Sequence, residues 1–404
     1  MTSLLSSLAD KDTWEEFWSH KASGICQPAA KAELRTFIDS AGYMEVCKEI
    51  ADLLENGTPF PLPRKSVISK MSTQKKRTVY IYPRAETVTL KLLTYLILRK
   101  YDHIFSGNLY SFRPDTGARN AIDDLRTAGN LYSYKVDISN YFNSIDIDRL
   151  APMLDEILSD DPLLLKFLLK LLSEPGVLSG GKEITEDKGI MAGTPIACFY
   201  ANIFLRDLDE HFMREGVIYA RYSDDIIVFA ETSEEIEEYE RYIKEYLASL
   251  GLSVNEKKEE RTVPGQRWTF LGFSCDGTTV DIAPATVQKL KKKMRRKARS
   301  LMRWASRNDV PPENAAKAFI RIFNRKLLDT SDDRDLTWSY WFFPAINTDE
   351  SLRIIDSYAQ DTIRYIASGT RTKARYNIRY EDMKRWGYKS LLAEYYSFGK
   401  NGDC

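Results

Sequence analysis

The sequence predicts an α+β fold: an antiparallel sheet with helices on one side, followed by an all-α C-terminal third. Three observations carry this expectation. Runs rich in β-branched and aromatic residues read as strands at RTVYIYP (77–83), LYSYKV (131–136) and the apolar segments flanking residues 223–225. Apolar residues recur at helical spacing before and between these runs. From residue 285 onward the pattern is almost wholly helical. The chain has 404 residues, 43% of them hydrophobic. That length suits roughly two to three domain-sized units with a sizeable core.

Taken in order, residues 1–58 read as helices, with Trp14, Phe17 and Trp18 on one face and Leu34, Phe37 and Ile38 on another. PFPLPRK (59–65) interrupts them, because Pro61 and Pro63 force an extended passage. The strand at 77–83 leads into a helix over 84–101. LYSYKVDISNYF (131–142) starts as a strand and ends in a turn, and residues 147–173 are helical. GVLSGGKEIT (176–185) is a hairpin turning on Gly180 and Gly181. Its spacing nearly matches a phosphate-binding loop, but Glu183 stands where that motif needs Ser or Thr. A helix over 195–214, a hairpin over 217–230, an acidic helix over 232–250 and short strands near 268–282 complete the middle. The expected boundaries are a helical extension (1–64), a central α+β unit (65–284) and a basic helical region (285–404).

Formal net charge is zero, yet charge is segregated: residues 285–404 carry 25 Lys/Arg against 14 Asp/Glu, and residues 1–284 carry 33 against 44. Such a distribution suggests a polyanion site built from one segment. Cys26, Cys47, Cys198, Cys275 and Cys404 are not spaced as zinc pairs, and a reduced compartment is the simple reading. The start, MTSLLSSLADKD, lacks a signal-peptide pattern, and the apolar stretch 163–172 is short and lysine-punctuated. A soluble cytoplasmic protein with no membrane partner is expected.

The chemistry-bearing feature is Asp224–Asp225, between VIYARY and IIVFA, together with Asp137 at the end of another apolar strand. Alone, two aspartates between strands are an ordinary hairpin turn. Adjacent strand residues face opposite ways, so only a tight turn brings both to one site. The apolar flanks and a second strand ending in Asp favour a metal site. Hard carboxylate oxygens suit Mg²⁺, and phosphoryl transfer onto a growing nucleic-acid chain uses two such ions.

YSDD (222–225) resembles the Tyr-x-Asp-Asp signature of reverse transcriptases. VDISNYF (136–142) is similar to their first palm motif, GTPIACFYANIFLRDLD (193–209) with Asn202 to the second, LGLSVNEKK (250–258) to the fourth and FLGF (270–273) to the fifth. KRTVYIYP (76–83) and LYSFRPDTGARNAI (109–122) look like the fingers segments of group II intron, retron and related bacterial enzymes. The motifs stand in the family's order from about residue 65 to residue 284. The resemblance implies a right-hand polymerase, with fingers and palm over 65–284 and thumb and RNA-binding region over 285–404.

It also implies roles. Asp137 and Asp224 would ligate two Mg²⁺ ions, with Asp225 a third carboxylate and the Ile138 carbonyl completing one shell. Phe142, five residues after Asp137, would pack under the incoming sugar and exclude a 2′-hydroxyl, which selects dNTPs; the alternative is a plain core residue. Lys76, Arg77 and Arg113 would grip triphosphate or template. Lys258 would protonate the leaving pyrophosphate or, alternatively, cap an acidic helix. One departure stands out: Ala192 occupies the place of the family's usual Gln, which helps position the template base.

VQKLKKKMRRKARSLMRWASR (287–307) is basic from Lys289 to Arg307 without an acidic residue, and Val287, Leu290, Met294, Ala298 and Leu301 form one apolar stripe. Lys292, Lys293, Arg295, Arg296 and Arg299 are therefore candidates for a phosphate backbone; pairing with the acidic segment 231–240 is the alternative. Aromatics mixed with Arg and Lys in 336–347 and 362–396 suit structured RNA. This tail looks like that of the defence-associated unknown-group reverse transcriptases. The expected function is synthesis of a DNA product from a structured RNA template and dNTPs, in anti-phage defence. The alternatives are template-independent or protein-primed DNA synthesis, and a catalytically idle RNA-binding protein.

Overall fold

The computed structural model describes residues 3–22, 24, 25, 27–69, 76–186, 189–329 and 337–401. Cys26, Cys404 and Leu336 lie outside these residues, as does the side chain of Lys76. The chain forms two compact units, one holding most residues up to Gln266 and the other mainly those from Arg267 onward.

In the first unit, helices α1 (Leu4–Ser7), α2 (Lys11–Ala22), α3 (Pro28–Asp39) and α4 (Tyr43–Asn56) follow one another as expected. Trp14 is fully buried and stacks on Tyr43 with ring centroids 4.8 Å apart, and its indole N–H donates to the Leu8 carbonyl at 2.8 Å. The largest apolar side chain of this extension therefore has its polar atom satisfied. Strands β1 (Arg64–Ser69) and β2 (Lys76–Ile81) lead to α5 (Arg84–Tyr101) and α6 (Ala118–Leu125). Next come β3 (Tyr132–Asp137), α7 (Tyr141–Ser144), α8 (Ile147–Ile157), α9 (Pro162–Leu172), and the hairpin of β4 (Gly176–Ser179) and β5 (Lys182–Thr185). The unit ends with α10 (Ala197–Phe204), α11 (Arg206–Arg214), β6 (Tyr219–Tyr222), β7 (Asp225–Ala230), α12 (Ser233–Ser249) and β8 (Glu260–Thr262).

Two sheets, rather than the single one expected, organise this unit: β2-β1-β4-β5 and β6-β7-β3-β8. The first is antiparallel apart from a parallel contact of β1 with β4. The second is antiparallel throughout. β1 had no strand signal beyond the extended passage, and its Val67 and Ile68 remain exposed. The helix expected over 147–173 is two helices. The buried Asp161 caps α9 by accepting from the Leu164 N–H at 3.1 Å, and Pro162 opens that helix without needing a donor. The helix expected over 195–214 breaks at Leu205.

The second unit holds the small sheet β9 (Trp268–Phe270), β10 (Phe273–Cys275) and β11 (Val280–Ile282). Helices α13 (Pro284–Arg307), α14 (Pro312–Leu327), α15 (Trp338–Phe342), α16 (Glu350–Ser368), α17 (Tyr380–Arg385) and α18 (Leu391–Asn401) follow. The division thus falls ahead of the boundary read at 284/285, because among the described residues β9–β11 pair with one another and group with these helices. Of the α13 stripe, Val287, Met294, Ala298 and Leu301 are buried, while Leu290 stays partly exposed. No helix of the described residues is long and apolar enough to cross a membrane.

Candidate active site

The register of β3 against β7 pairs Asp137 with Asp225. Directly opposed residues of an antiparallel pair share a sheet face. Tyr222 pairs with Asp225 across the β6–β7 hairpin, so Ser223 and Asp224 form its two-residue tip. Ser223 takes φ +59, a costly conformation for a residue with a Cβ. The Ile138 N–H donates to the Asp224 carbonyl at 2.9 Å and hooks the tip to the end of β3. The backbone thus brings Asp137, Ile138, Asp224 and Asp225 together.

Electrostatics mark the cluster as short of positive charge. Burial, then Asp224 and Asp137, push the Asp225 carboxyl up to about 7. Burial and Asp137 raise Asp224 too, while Lys258 and Arg77 pull it the other way. The Lys258 ammonium lies 2.5 Å from Asp137 Oδ2. Partial burial lowers its pKa, but the Asp137 hydrogen bond and the other two carboxylates outweigh this and raise it. Lys258 therefore pairs with Asp137 and does not cap the acidic helix. Asn255 Nδ2 donates to Asp137 Oδ1 at 3.2 Å.

This donor set fits a hard divalent cation in its chemistry: carboxylate oxygens in excess of local positive charge. As they stand, no three acidic, His or Cys side chains among the described residues already enclose an ion position. One Asp137 oxygen is instead held by Lys258.

The raised Asp225 gives a pH-dependent stability. The unfolded chain releases this proton near about 4, whereas the folded chain keeps it to about 7. The native state binds more protons across that window, so metal-free stability falls as pH rises through it and then levels off. In EDTA, Asp225→Asn should melt higher than the parent at pH 8 and converge with it near pH 4; equal melting at both pH values would contradict the burial described.

A buried polar network that the sequence did not reveal supports the tip. Arg221, fully buried, forms a fork on Asp209, with Nε to Oδ1 at 2.8 Å and Nη2 to Oδ2 at 2.5 Å. It also donates to the carbonyls of Asn202 (3.2 Å) and Ser223 (3.3 Å). Asp209 accepts from the Tyr219 hydroxyl at 2.9 Å, and burial pushes its carboxyl upward against the pull of Arg221. Ser111 Oγ accepts from the Ser223 N–H at 2.8 Å, while Asn202 Nδ2 donates to the Ser111 carbonyl at 2.9 Å. The only sequence signal was a lone Arg inside an otherwise apolar strand.

The remaining candidates divide. Phe142 lies on the single turn of α7 and is half-buried rather than core. Arg77 is exposed on β2 and close enough to influence Asp224. Arg113 is held by protein groups. Its Nε and Nη2 fork onto Asp102 at 2.8 and 2.9 Å, and Nη1 donates to the Ser106 and Leu109 carbonyls. With its side chain 10% exposed, it braces the loop that carries Ser111. Ala192 is buried, and its carbonyl accepts from the Tyr80 N–H at 2.9 Å.

In the second unit, Lys292, Arg295, Arg296 and Arg299 line an open groove with Met302, Arg303 and Tyr365. Lys293 does not line it; partial burial and the charges of Lys326, Arg296 and Lys289 lower its pKa.

Residues 68–275, about half the chain, match the family model described as reverse transcriptase (RNA-dependent DNA polymerase). The chain is similar to the retron Ec48 reverse transcriptase of Escherichia coli, 26% identical over 129 residues, which are 31% of this chain and 29% of that one. Among solved structures it is similar to a truncated apo telomerase from Candida tropicalis, at 14% identity, 55% of each chain and a TM-score of 0.45. It is also similar to Candida tropicalis telomerase in complex with a fragment of telomeric RNA, at 11% identity, 81% of this chain, 64% of that chain and a TM-score of 0.46. The chain thus spans less than two thirds of the length of each of these relatives. Half of the chain, including the hairpin that carries Asp224 and Asp225, matches one family model, and the chain belongs to the reverse transcriptase family.

Proposed function

We propose that this chain copies an RNA template into DNA at the Asp137, Asp224 and Asp225 cluster. The observation that carries the reading is the β3–β7 register, which opposes Asp137 and Asp225 with Asp224 at the adjoining tip. Asp137 and Asp224 would hold two Mg²⁺ ions, with Asp225 and the Ile138 carbonyl beside them. When bound, these ions activate a primer 3′-hydroxyl and neutralise charge on the pyrophosphate. In this reading Lys258, paired with Asp137 in the ligand-free chain, would release it and turn its ammonium to the leaving group, and Arg77 would meet the triphosphate. Phe142 acts as the sugar gate: its partly buried side chain excludes a 2′-hydroxyl. The purified chain should extend a primed RNA template with dNTPs, and Phe142→Ala should raise ribonucleotide use by about tenfold, since one mispacked hydroxyl is worth about 1–3 kcal/mol. An unchanged ratio removes the gate.

The groove on α13 supports nucleic-acid binding by the second unit. Lys292, Arg295, Arg299 and Arg303 have no ion-pair partner among the described residues, so their charge is available to phosphates. Replacing Arg295 and Arg299 by Gln should weaken RNA binding uniformly across sequences and flatten the salt dependence by about 0.7–0.9 per arginine, in log–log slope. An unaltered slope places the RNA elsewhere. A structured RNA template and a role in anti-phage defence belong to the same proposal, which the likeness to a retron reverse transcriptase supports.

Ala192 favours a second reading. A buried methyl group stands where the family's template-positioning Gln would be, which leaves room for template-independent or protein-primed addition. Incorporation that survives ribonuclease treatment selects this reading over RNA copying.

A further inference from the structure

We infer that residues 189–193 form a strap that holds Phe142 in place and ties it to strand β2, which makes Gly189 a positioning residue for nucleotide choice; this rests on Phe142 being the sugar gate. α7 is a single turn entered through Asn140 at φ +50. Such a turn has too few internal hydrogen bonds to hold its own position. Tyr141 anchors one side through its hydroxyl on the Ala201 carbonyl at 2.6 Å. At Phe142 itself the contact is the strap. The Ile190 N–H donates to the Phe142 carbonyl at 2.9 Å. Gly189 adopts φ +50, and a Cβ there would stand 2.1 Å from the Phe142 oxygen and 2.6 Å from the Asn143 Cα. These neighbours are backbone atoms and cannot swing aside, so any side chain at 189 displaces the turn that carries the ring.

The other end of the strap is fixed to β2. The Ala192 carbonyl accepts from the Tyr80 N–H at 2.9 Å. Gly193, at φ +102, leaves only 3.1 Å between its would-be Cβ and Val79 Cβ. On the near side, the Glu186 carboxylate accepts from the Tyr80 hydroxyl at 2.6 Å and pairs with Lys65 of β1. Tyr80, 1% exposed, therefore grips the chain on both sides of Gly189. Arg77 lies three residues earlier on the same strand. A shift of β2 reaches Phe142 through backbone contacts alone, so the choice of sugar is coupled to the strand that carries Arg77.

The test measures kcat/KM for dGTP and for GTP on an oligo(dG)-primed poly(rC) template, using the full chain with Mg²⁺. The variants are Gly189→Ala, Glu186→Gln, Phe142→Ala and, as a control, Gly57→Ala. Gly57 also has positive φ, +72, but its Cβ would enter open space, so it reproduces the backbone strain without the contact. Gly189→Ala should lower the dGTP/GTP ratio by about tenfold or more, as expected for a reacting group misplaced by about an ångström. Glu186→Gln, which preserves shape if Gly189→Ala fails to fold, should lower it by about threefold. Gly57→Ala should stay within about twofold of the parent. If Phe142→Ala loses selectivity while folded Gly189→Ala and Glu186→Gln keep the parental ratio, the strap is overturned and the gate stands. If Phe142→Ala itself keeps the ratio, the gate falls and the strap with it.

Discussion

Asp224→Asn should leave the chain folded and RNA-binding while reducing dNTP incorporation by about a thousandfold or more. The amide keeps the shape of the carboxylate but not its charge. The family's reaction depends on oxygen ligands that hold divalent cations against the phosphates, which is worth several kcal/mol of transition-state stabilisation. Losing about 4 kcal/mol corresponds to roughly 10³ in rate. The folded state has reason to tolerate the change. Asp224 is raised by burial and by Asp137, so its ionised form is a liability in the metal-free protein. Above the unfolded pKa the parent carries that cost and the variant does not, so in EDTA at pH 8 the variant should melt no lower than the parent. Lost activity with retained melting and RNA binding then belongs to the site and not to unfolding. Undiminished incorporation by Asp224→Asn would sink the site assignment altogether.

Much of this site was legible because it is local. Asp224 and Asp225 fall between two apolar strands, and Asp137 ends a third; period-two patterning and the turn fix where each side chain emerges. The partners that hold the tip come from distant segments. Arg221 meets Asp209 across a helix boundary, and Ser111 reaches Ser223 from 112 residues away. Neither distance leaves a periodic trace. The partners of Arg113 were equally hidden: Asp102 takes the Nε and Nη2 edge of its guanidinium, a contact that its place in a family segment does not reveal. β8 was invisible for a simpler reason. Glu260–Thr262 is a polar edge strand, held by Lys135–Glu260 and Ser133–Thr262 contacts across β3 and not by apolar burial. Gly189 carried no signal beyond being a glycine, since only the fold reveals the backbone it touches.

The buried pair beneath the tip should produce the largest effect on stability, and it separates packing from positioning. Asp209→Ala leaves the Arg221 guanidinium without its counter-charge in a site where the two side chains are 1% and 0% exposed. Breaking a buried pair by removing one partner costs about 3–5 kcal/mol. For a unit of this size that is a fall in Tm of roughly 6–20 °C. Replacing both members by apolar residues of similar volume, Asp209→Leu with Arg221→Met, should recover most of the loss, because no charge is then stranded. Incorporation should not recover with it. Arg221 also donates to the Ser223 carbonyl, and Ser223 holds its strained φ only while its surroundings impose it. Without that donor the tip relaxes, and Asp224 moves relative to Asp137. The double variant should therefore melt near the parent and yet incorporate at least about tenfold more slowly, a deficit of the size expected for sub-ångström misplacement. If stability and incorporation return together, Arg221 is a packing element only, and the hairpin holds its own conformation without it.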